Sequence, residues 1–421
     1  MSFNPLSERG IPLERQFRNW SELNTTPYDK NQVHAFSRCR GIVMNGIEVE
    51  SVMFSHNMAR HTVDPKIKEM LALVRRVEQQ QQKAVNWLIP GDESTLEVTI
   101  GYEQVAVDLT SWVAQNEPDP YLKQCYDFGL LEDFDHLYRY SNLLLMLEGK
   151  KAEKIVGGLT EITPGRPTIF EHRDPRDDIR RPMTAAAADP QSVLNALTVL
   201  SAEQQTMNFY MTIGNRPMEP LARATYLEIG QIEEQHVTHY ESILDPSITW
   251  LENLVWHEYN ECWLYYSFMQ QEPDPKVKAL YELHLNMEIE HLRLAAEMMR
   301  AVEGRDPAQF LPKGIERPML FKQNKEYVRQ VLQNQVNLTA DGTQFVPITQ
   351  LLADHRFHQY QRVVNAGGVP TEQVIAEARA TLSDDYRFES EGPNPVPGLR
   401  SEKERQGATT EYAARHQMAA E

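Results

Sequence analysis

Apolar residues recur at helical spacing through four long segments of this chain, and each segment is interrupted once by an acidic residue followed by proline. The four pairs are Asp64-Pro65, Asp119-Pro120, Glu219-Pro220 and Asp274-Pro275. An acidic N-cap with proline at the first helical position is a favourable helix start. The pattern therefore predicts four helical hairpins, at about 41–88, 95–148, 191–244 and 248–302.

The hairpins belong to a repeat. The segment Asn116-Glu117-Pro118-Asp119-Pro120 recurs as Gln271-Glu272-Pro273-Asp274-Pro275, at an offset of 155 residues. The same offset aligns residues 40–149 with residues 195–304 without a gap. Self-similarity at a fixed spacing indicates an old tandem duplication.

The repeat fixes the predicted domain organisation, which places two hairpins in each unit. We expect an N-terminal arm at 1–40, a first unit at 41–149, a linker at 150–190, a second unit at 191–304, and a C-terminal wrapping segment and tail at 305–421. Within the last segment, two short helices are predicted near 323–335 and 371–382. The composition after about residue 385 is typical of an extended or disordered arm.

Composition narrows the class of protein. Hydrophobic residues make up 41% and charged residues 24% of the chain, as in a globular protein. We expect no membrane span and no secretory signal, because neither a long apolar run nor an apolar segment after a basic start is present. The three cysteines, Cys39, Cys125 and Cys262, form no CxxC pair, which argues against a disulfide framework and favours the cytoplasm. A net charge of −18 argues against a nucleic-acid partner.

Every predicted hairpin carries the same ionisable residues at the same distances from its acidic-proline turn. A glutamate lies sixteen residues before the acidic turn residue, an acidic residue lies fourteen after it, and a polar residue follows three positions later. In chain order the sets are Glu48, Glu78 and Gln81; Glu103, Asp133 and His136; Glu203, Glu233 and His236; and Glu258, Glu288 and His291.

This spacing has a structural meaning. Residues three apart share one helix face, and a thirty-residue separation across a tight turn places the leading glutamate at the same height on the antiparallel neighbour. Apolar residues at helical spacing, such as Ile229 and Ile243 around Glu233, predict that these groups face inward. Carboxylates in an apolar interior are very costly unless protons or cations compensate their charge. Two divalent metal ions would supply that compensation.

The second unit resembles the ferritin-like di-iron and di-manganese carboxylate superfamily, in which two helices each supply a Glu and two others each supply Glu-x-x-His. The resemblance covers about 195–304 with a full ligand set. It implies an all-α fold of two tandem ferritin-like four-helix bundles with an extended linker and C-terminal arm, and two iron or manganese ions as cofactors. The implied metal ligands are Glu203 and Glu258 as terminal, Glu233 and Glu288 as bridging, and His236 and His291 as imidazole ligands.

The first unit carries only a degenerate version of this set. Gln81 replaces a histidine, and its amide is a poor ligand for iron or manganese. Asp133 is a shorter arm than glutamate. We therefore expect Glu48, Glu78, Glu103, Asp133 and His136 to be a relic or a single weak site. For both units the alternative is a buried polar network without metal.

The link between the second and third helices departs from the family pattern. Ferritin-like bundles resemble one another in having a long crossover there, whereas Glu233 and Glu258 are only 25 residues apart. Two alternatives stay open. Either the bundle differs in connectivity, or a hairpin of one unit pairs with a hairpin of the other.

The ligand set favours an oxidoreductase that activates O2 or peroxide at a di-iron or di-manganese centre. Expected partners are O2 or peroxide, a small organic substrate, and an electron-donor protein or reductant, since no nucleotide-binding glycine motif is present. The alternatives are a metal-handling protein, such as a ferroxidase or iron-binding protein, and a non-catalytic helical scaffold. The sequence leaves the oligomeric state open, including a homo-oligomer, and identifies no catalytic residue beyond the ligands.

Overall fold

The computed structural model describes residues 2–382 and 393–400, and this part of the chain is mostly helical, as predicted. Its helices are α1 (Trp20–Leu23), α2 (Ala35–His61), α3 (Pro65–Asn86), α4 (Thr95–Asn116), α5 (Pro120–Glu148), α6 (Ala152–Ile155), α7 (Pro190–Ile213), α8 (Pro220–Glu241), α9 (Trp250–Gln271), α10 (Pro275–Glu303), α11 (Lys325–Gln335), α12 (Arg356–Val364) and α13 (Pro370–Leu382). The four predicted hairpins are present as hairpin 1 (α2–α3), hairpin 2 (α4–α5), hairpin 3 (α7–α8) and hairpin 4 (α9–α10). None of the described helices is long and apolar enough to cross a membrane.

The predicted helix starts at the acidic-proline pairs are confirmed. Asp64, Asp119, Glu219 and Asp274 are the N-caps of α3, α5, α8 and α10, and each is followed by proline at the first helical position. The Asp119 carboxylate, for example, accepts hydrogen bonds from the backbone N–H groups of Tyr121 and Leu122, at 2.7 and 3.0 Å. These caps satisfy backbone donors that have no partner within the helix.

The duplication is visible in the helix boundaries. Helices α9 and α10 begin and end 155 residues after α4 and α5, and α8 lies 155 residues after α3. Gly149 and Gly304 end α5 and α10 in the left-handed region, with φ of 63° and 65°. Glycine adopts this conformation without the steric penalty of a Cβ atom, which explains why both helices stop there.

The first helices of the hairpins form the middle of the molecule. Helices α2 and α7 contact each other, and each also contacts α4 and α9. At the α2–α7 contact a Cβ on Gly46 would lie 2.7 Å from Gln205 Nε2, so only glycine allows this approach. The Gln205 side chain donates to the Ile42 carbonyl and accepts from Asn45 Nδ2, both at 2.7 Å, which ties the two helices together.

Polar contacts link hairpins from different repeats. Ser37 in α2 donates to Glu272 at the end of α9, at 2.8 Å, and the residue 155 positions later, Ser192 in α7, donates to Glu117 at the end of α4. Hairpin 1 is thereby joined to hairpin 4, and hairpin 2 to hairpin 3. These bonds run between hairpins of different repeats, which is the second of the two alternatives that the sequence leaves open, although α2 also contacts α4 and α7 contacts α9 within one repeat.

Helices from the C-terminal segment pack on hairpins 2 and 3, whereas the N-terminal segment contacts α3 and α10. The helices predicted near 323–335 and 371–382 are present as α11 and α13; α11 packs on α5, and α13 packs on α5 and α8. A short antiparallel pair, β1 (Leu338–Asp341) and β2 (Gln344–Pro347), was not predicted. The predicted arm after about 385 lies outside the described residues except for 393–400, where Asn394 Nδ2 donates to Thr163 Oγ1.

Candidate metal centre

The ionisable residues of the four hairpins form two buried clusters. Cluster A combines hairpins 1 and 4 and consists of Glu48, Glu78, Gln81, Glu258, Glu261, Glu288 and His291. Cluster B combines hairpins 2 and 3 and consists of Glu103, Asp133, His136, Glu203, Glu233 and His236. No member is more than 2% exposed, so the predicted inward orientation is confirmed. Their role as metal ligands stays a prediction.

The six ligands predicted in the second unit are divided between the clusters. Glu203, Glu233 and His236 lie in cluster B, whereas Glu258, Glu288 and His291 lie in cluster A. Of the two alternatives that the sequence leaves open, this division fits the one in which a hairpin of one unit pairs with a hairpin of the other. The spacing rules hold within each hairpin, but they carry no information about which hairpin faces which.

The residues that were expected to be a relic in the first unit lie in the two clusters, beside the residues of the second unit. Glu103, Asp133 and His136 join cluster B, and the His136 and His236 rings lie 5.8 Å apart. Glu48, Glu78 and Gln81 join cluster A. Cluster B therefore contains four carboxylates and two histidines, one Glu from each leading helix and one acidic residue plus one His from each following helix.

The ligand atoms of cluster B form two groups. Atoms of Glu103, His136 and Glu233 lie within 4.8 Å of one another, and so do atoms of Asp133, Glu203 and His236. Glu233 faces both imidazoles, with Oε1 3.0 Å from His136 Nδ1 and Oε2 3.4 Å from His236 Nδ1. Each group has the donor types that iron and manganese accept.

Several polar atoms of cluster B are buried without a hydrogen-bond partner. They are Glu103 Oε2, Asp133 Oδ1 and Oδ2, Glu203 Oε2, Glu233 Oε2 and His236 Nδ1. Buried polar groups are nearly always satisfied, so a set of unsatisfied atoms in two adjacent groups requires an explanation. The His236 Nδ1 atom lies 3.4–3.5 Å from three different carboxylates, which is longer than a good hydrogen bond.

The three histidines of the two clusters share one orientation. Each directs Nδ1 towards the carboxylates and Nε2 towards an outer acceptor. The Nε2 atom of His136 lies 3.1 Å from Glu171, that of His236 lies 2.9 Å from Glu132, and that of His291 lies 2.7 Å from the Gln16 amide oxygen. An outer acceptor of this kind fixes the tautomer of a metal-binding histidine and orients its ring.

The outer acceptors of cluster B are held by the segment between hairpins 2 and 3. Arg166 and Arg173, both buried, form ion pairs with Glu132, and the Arg166 pair is 2.8 Å long. These two cations hold the pKa of Glu132 well below its usual range despite its burial. Glu132 therefore remains ionised and can accept a hydrogen bond from His236.

Burial governs the electrostatics of cluster B. It raises the pKa of Glu103 and Glu203 well above the ordinary range, with neighbouring carboxylates adding to the effect, and it raises the pKa of Asp133 to about 7. Burial also opposes ionisation of Glu233, but hydrogen bonds from both histidines outweigh it and lower the pKa of Glu233. Protons therefore compensate most of these carboxylates when no cation does.

Cluster A is similarly buried but has a different composition. It contains one histidine and five carboxylates, because Gln81 stands where cluster B has His236 and Glu261 is an additional acid. Burial holds the pKa of Glu48, Glu258 and Glu261 well above the ordinary range and raises the pKa of Glu78 to about 7. The Gln81 amide donates a hydrogen bond to Glu288 Oε1.

A tyrosine adjoins each cluster. Tyr210 donates to Glu103 in cluster B, and Tyr265 donates to Glu48 in cluster A at 2.5 Å. His284, a residue that sequence reasoning left as either a ligand or a core histidine, is 2.9 Å from the Tyr265 hydroxyl and is not a member of cluster A.

Sequence reasoning missed several contributors. Glu132, Glu171 and Gln16 lie outside the repeated pattern, and no local spacing connects them to the histidines they contact. Glu261 also lies outside the repeated pattern. Its position three residues after Glu258 gave a usable signal, since residues at that spacing share one helix face.

Comparison of the chain with family models, with curated proteins and with solved structures finds no match. Function is therefore inferred from the chemistry of the two clusters.

Proposed function

We propose that this protein is a ferritin-like di-metal carboxylate protein that acts as an oxidoreductase on O2 or peroxide. The observation that carries the proposal is cluster B, where a full set of four carboxylates and two imidazoles leaves unsatisfied atoms in each of two adjacent buried groups. Two divalent cations would balance the four negative charges and fill the unsatisfied positions. Protons would also balance the charge, but His236 Nδ1 lies 3.4–3.5 Å from three carboxylates, longer than a good hydrogen bond.

The helix connectivity supports the same assignment. Hairpins 2 and 3 are joined by residues 149–189, so a long crossover lies between the second and third helices of this pair. In the sequence, the short link between Glu233 and Glu258 departs from the family pattern of a long crossover. That difference no longer arises when the hairpins pair across the repeats. We propose that hairpins 2 and 3 form one ferritin-like four-helix bundle, and that hairpins 1 and 4 form a second one into which the first is inserted.

The side chains of cluster B have distinct roles in this proposal. His136 and His236 would bind metal through Nδ1, while Glu171 and Glu132 hold their Nε2–H groups and fix the tautomer. Glu233 faces both imidazoles, as a bridging carboxylate would. Two bound iron or manganese ions would supply the redox chemistry towards O2 or peroxide.

The surroundings suit oxygen chemistry because they exclude bulk water. The members of cluster B are at most 2% exposed and lie among buried side chains such as Tyr140, Tyr240 and Ile229. Tyr210 donates to Glu103 and so orients a carboxylate that would otherwise be free to rotate. The electron donor and an organic substrate remain expectations from the sequence.

The test is the metal content of the full-length protein after anaerobic loading with Fe(II) or Mn(II), followed by its reaction with O2 and peroxide. Glu233→Ala/His236→Ala should bind about two fewer metal ions per chain than the wild type. Glu234→Ala is the matched control, because Glu234 is the exposed neighbour of Glu233 and should leave metal content unchanged.

The outcomes separate the candidate functions. Consumption of O2 or peroxide by the loaded protein, faster than by free metal and lost in the double variant, supports the oxidoreductase. Metal binding without such a reaction favours the metal-handling alternative. If no metal binds above background, the protein is a helical scaffold and the proposal fails.

A further inference from the structure

The two clusters differ at three equivalent positions of the repeat, one of which, Glu288 in place of Asp133, exchanges one carboxylate for another. Gln81 in cluster A corresponds to His236 in cluster B, and Glu261 in cluster A corresponds to Ala106, each at the offset of 155 residues. Cluster A has therefore exchanged an imidazole for an amide and gained a carboxylate. The two changes occur on different helices, α3 and α9, yet they meet in the same half of the cluster.

That half contains only oxygen ligands. Atoms of Glu48, Glu261 and Glu288 lie within 4.8 Å of one another, and all three side chains are completely buried. In the other half, His291 joins Glu78 and Glu258. In cluster B, by contrast, both halves contain a histidine.

Hydrogen bonds orient two carboxylate oxygens in this half of cluster A, whereas other carboxylate oxygens there accept no hydrogen bond. Tyr265 donates to Glu48 Oε1, at 2.5 Å, and the Gln81 amide donates to Glu288 Oε1. Glu48 Oε2 is buried and has no hydrogen-bond partner, and the buried Glu261 carboxyl meets only the neighbouring acid Glu288, to which it donates when protonated. Since buried carboxylate oxygens are nearly always satisfied, their convergence points to a bound cation.

From this geometry we propose that Glu48, Glu261 and Glu288 form an all-oxygen position that takes a hard divalent cation, Mn(II), in competition with Fe(II). Carboxylate sites suit manganese and magnesium, whereas imidazole sites favour iron over manganese more strongly. The three positions with a histidine would bind iron in preference. The inference rests on the proposed metal-binding function and assigns manganese to one position of cluster A and iron to the other three positions.

The experiment is a competition on the full-length protein. Wild type and Gln81→His/Glu261→Ala are loaded anaerobically with equal concentrations of Fe(II) and Mn(II), and both metals are counted by mass spectrometry. The double variant gives cluster A four carboxylates and two imidazoles, as in cluster B, so its manganese-to-iron ratio should fall by about tenfold, the low end of the change that altered ligand surroundings produce. Total metal should stay close to that of the wild type.

The reciprocal variant is the matched control. His236→Gln/Ala106→Glu installs the cluster A residues in cluster B and should raise the manganese-to-iron ratio. If either double variant fails to fold, as judged by circular dichroism, Glu261→Gln keeps the side-chain volume, removes the charge and should lower manganese uptake alone. An unchanged ratio in both Gln81→His/Glu261→Ala and Glu261→Gln overturns the inference while leaving metal binding intact. Absence of both metals from the wild type overturns the proposed function as well.

Discussion

Burial disfavours the ionised form of individual carboxyl groups in the two clusters. Asp133 and Glu78 are at most 1% exposed, and burial raises the pKa of each to about 7. A cation can bind only after these groups lose their protons, because the carboxylate is the ligand. In the proposed function, metal uptake and proton release would therefore be coupled at the level of single side chains.

We predict that a rise in pH increases the affinity for metal and decreases the stability of the metal-free fold. A carboxyl whose folded-state pKa of about 7 exceeds the unfolded value of about 4 stabilises the fold fully below pH 4, and this stabilisation is lost as the pH rises through about 7. The melting temperature of the metal-free protein should therefore fall between about pH 6 and pH 8, while Mn(II) affinity measured by calorimetry rises.

Asp133→Asn is the control for this prediction. It removes one titrating group, so the metal-free variant should lose less thermal stability over the same pH range. A metal-free wild type whose melting temperature rises from about pH 6 to pH 8 would contradict the sign of the effect.

Each long helix after an acidic-proline turn depends on local sequence for its position along the chain. Asp119 caps α5 and Asp274 caps α10, and the helix then runs to the metal-facing residues thirteen or more positions later. These features were predictable because a cap and a proline act on backbone groups only a few residues away. The same holds for the shared face of Asp133 and His136, which depends only on the helical repeat.

We predict that Asp119→Ala and Asp274→Ala each lower the free energy of unfolding by about 1 kcal/mol, measured by urea denaturation. Each variant removes hydrogen bonds to the backbone, such as that from Lys276 N to Asp274 at 2.8 Å. Metal content should not change, because the cap lies far along the helix from the ligands. Asp92→Ala is the control, since the Asp92 carboxylate is exposed and 3.8 Å from Lys30; an equal loss there would refute the capping argument.

The arrangement of the whole molecule was only partly predictable. The repeat, the four hairpins and twelve of the thirteen buried cluster residues follow from periodicity and spacing, and Glu261 was left undecided. The pairing of hairpin 1 with hairpin 4, and of hairpin 2 with hairpin 3, depends instead on contacts far apart in sequence, such as Ser37 with Glu272. The outer acceptors Glu171 and Gln16 come from irregular segments, where no periodicity marks a residue that will reach a histidine.

The pairing across repeats makes a prediction about which histidines act together. His136 and His236 belong to cluster B, with ring centroids 5.8 Å apart, whereas His291 belongs to cluster A. Residues in one network show coupling energies, while distant sites add independently. In a double-mutant cycle on Fe(II) affinity, His136→Ala and His236→Ala should therefore couple by about 1 kcal/mol or more. The effects of His236→Ala and His291→Ala on Fe(II) affinity should be additive. If this second pair couples and the first does not, the ligands belong to a single centre within 191–304.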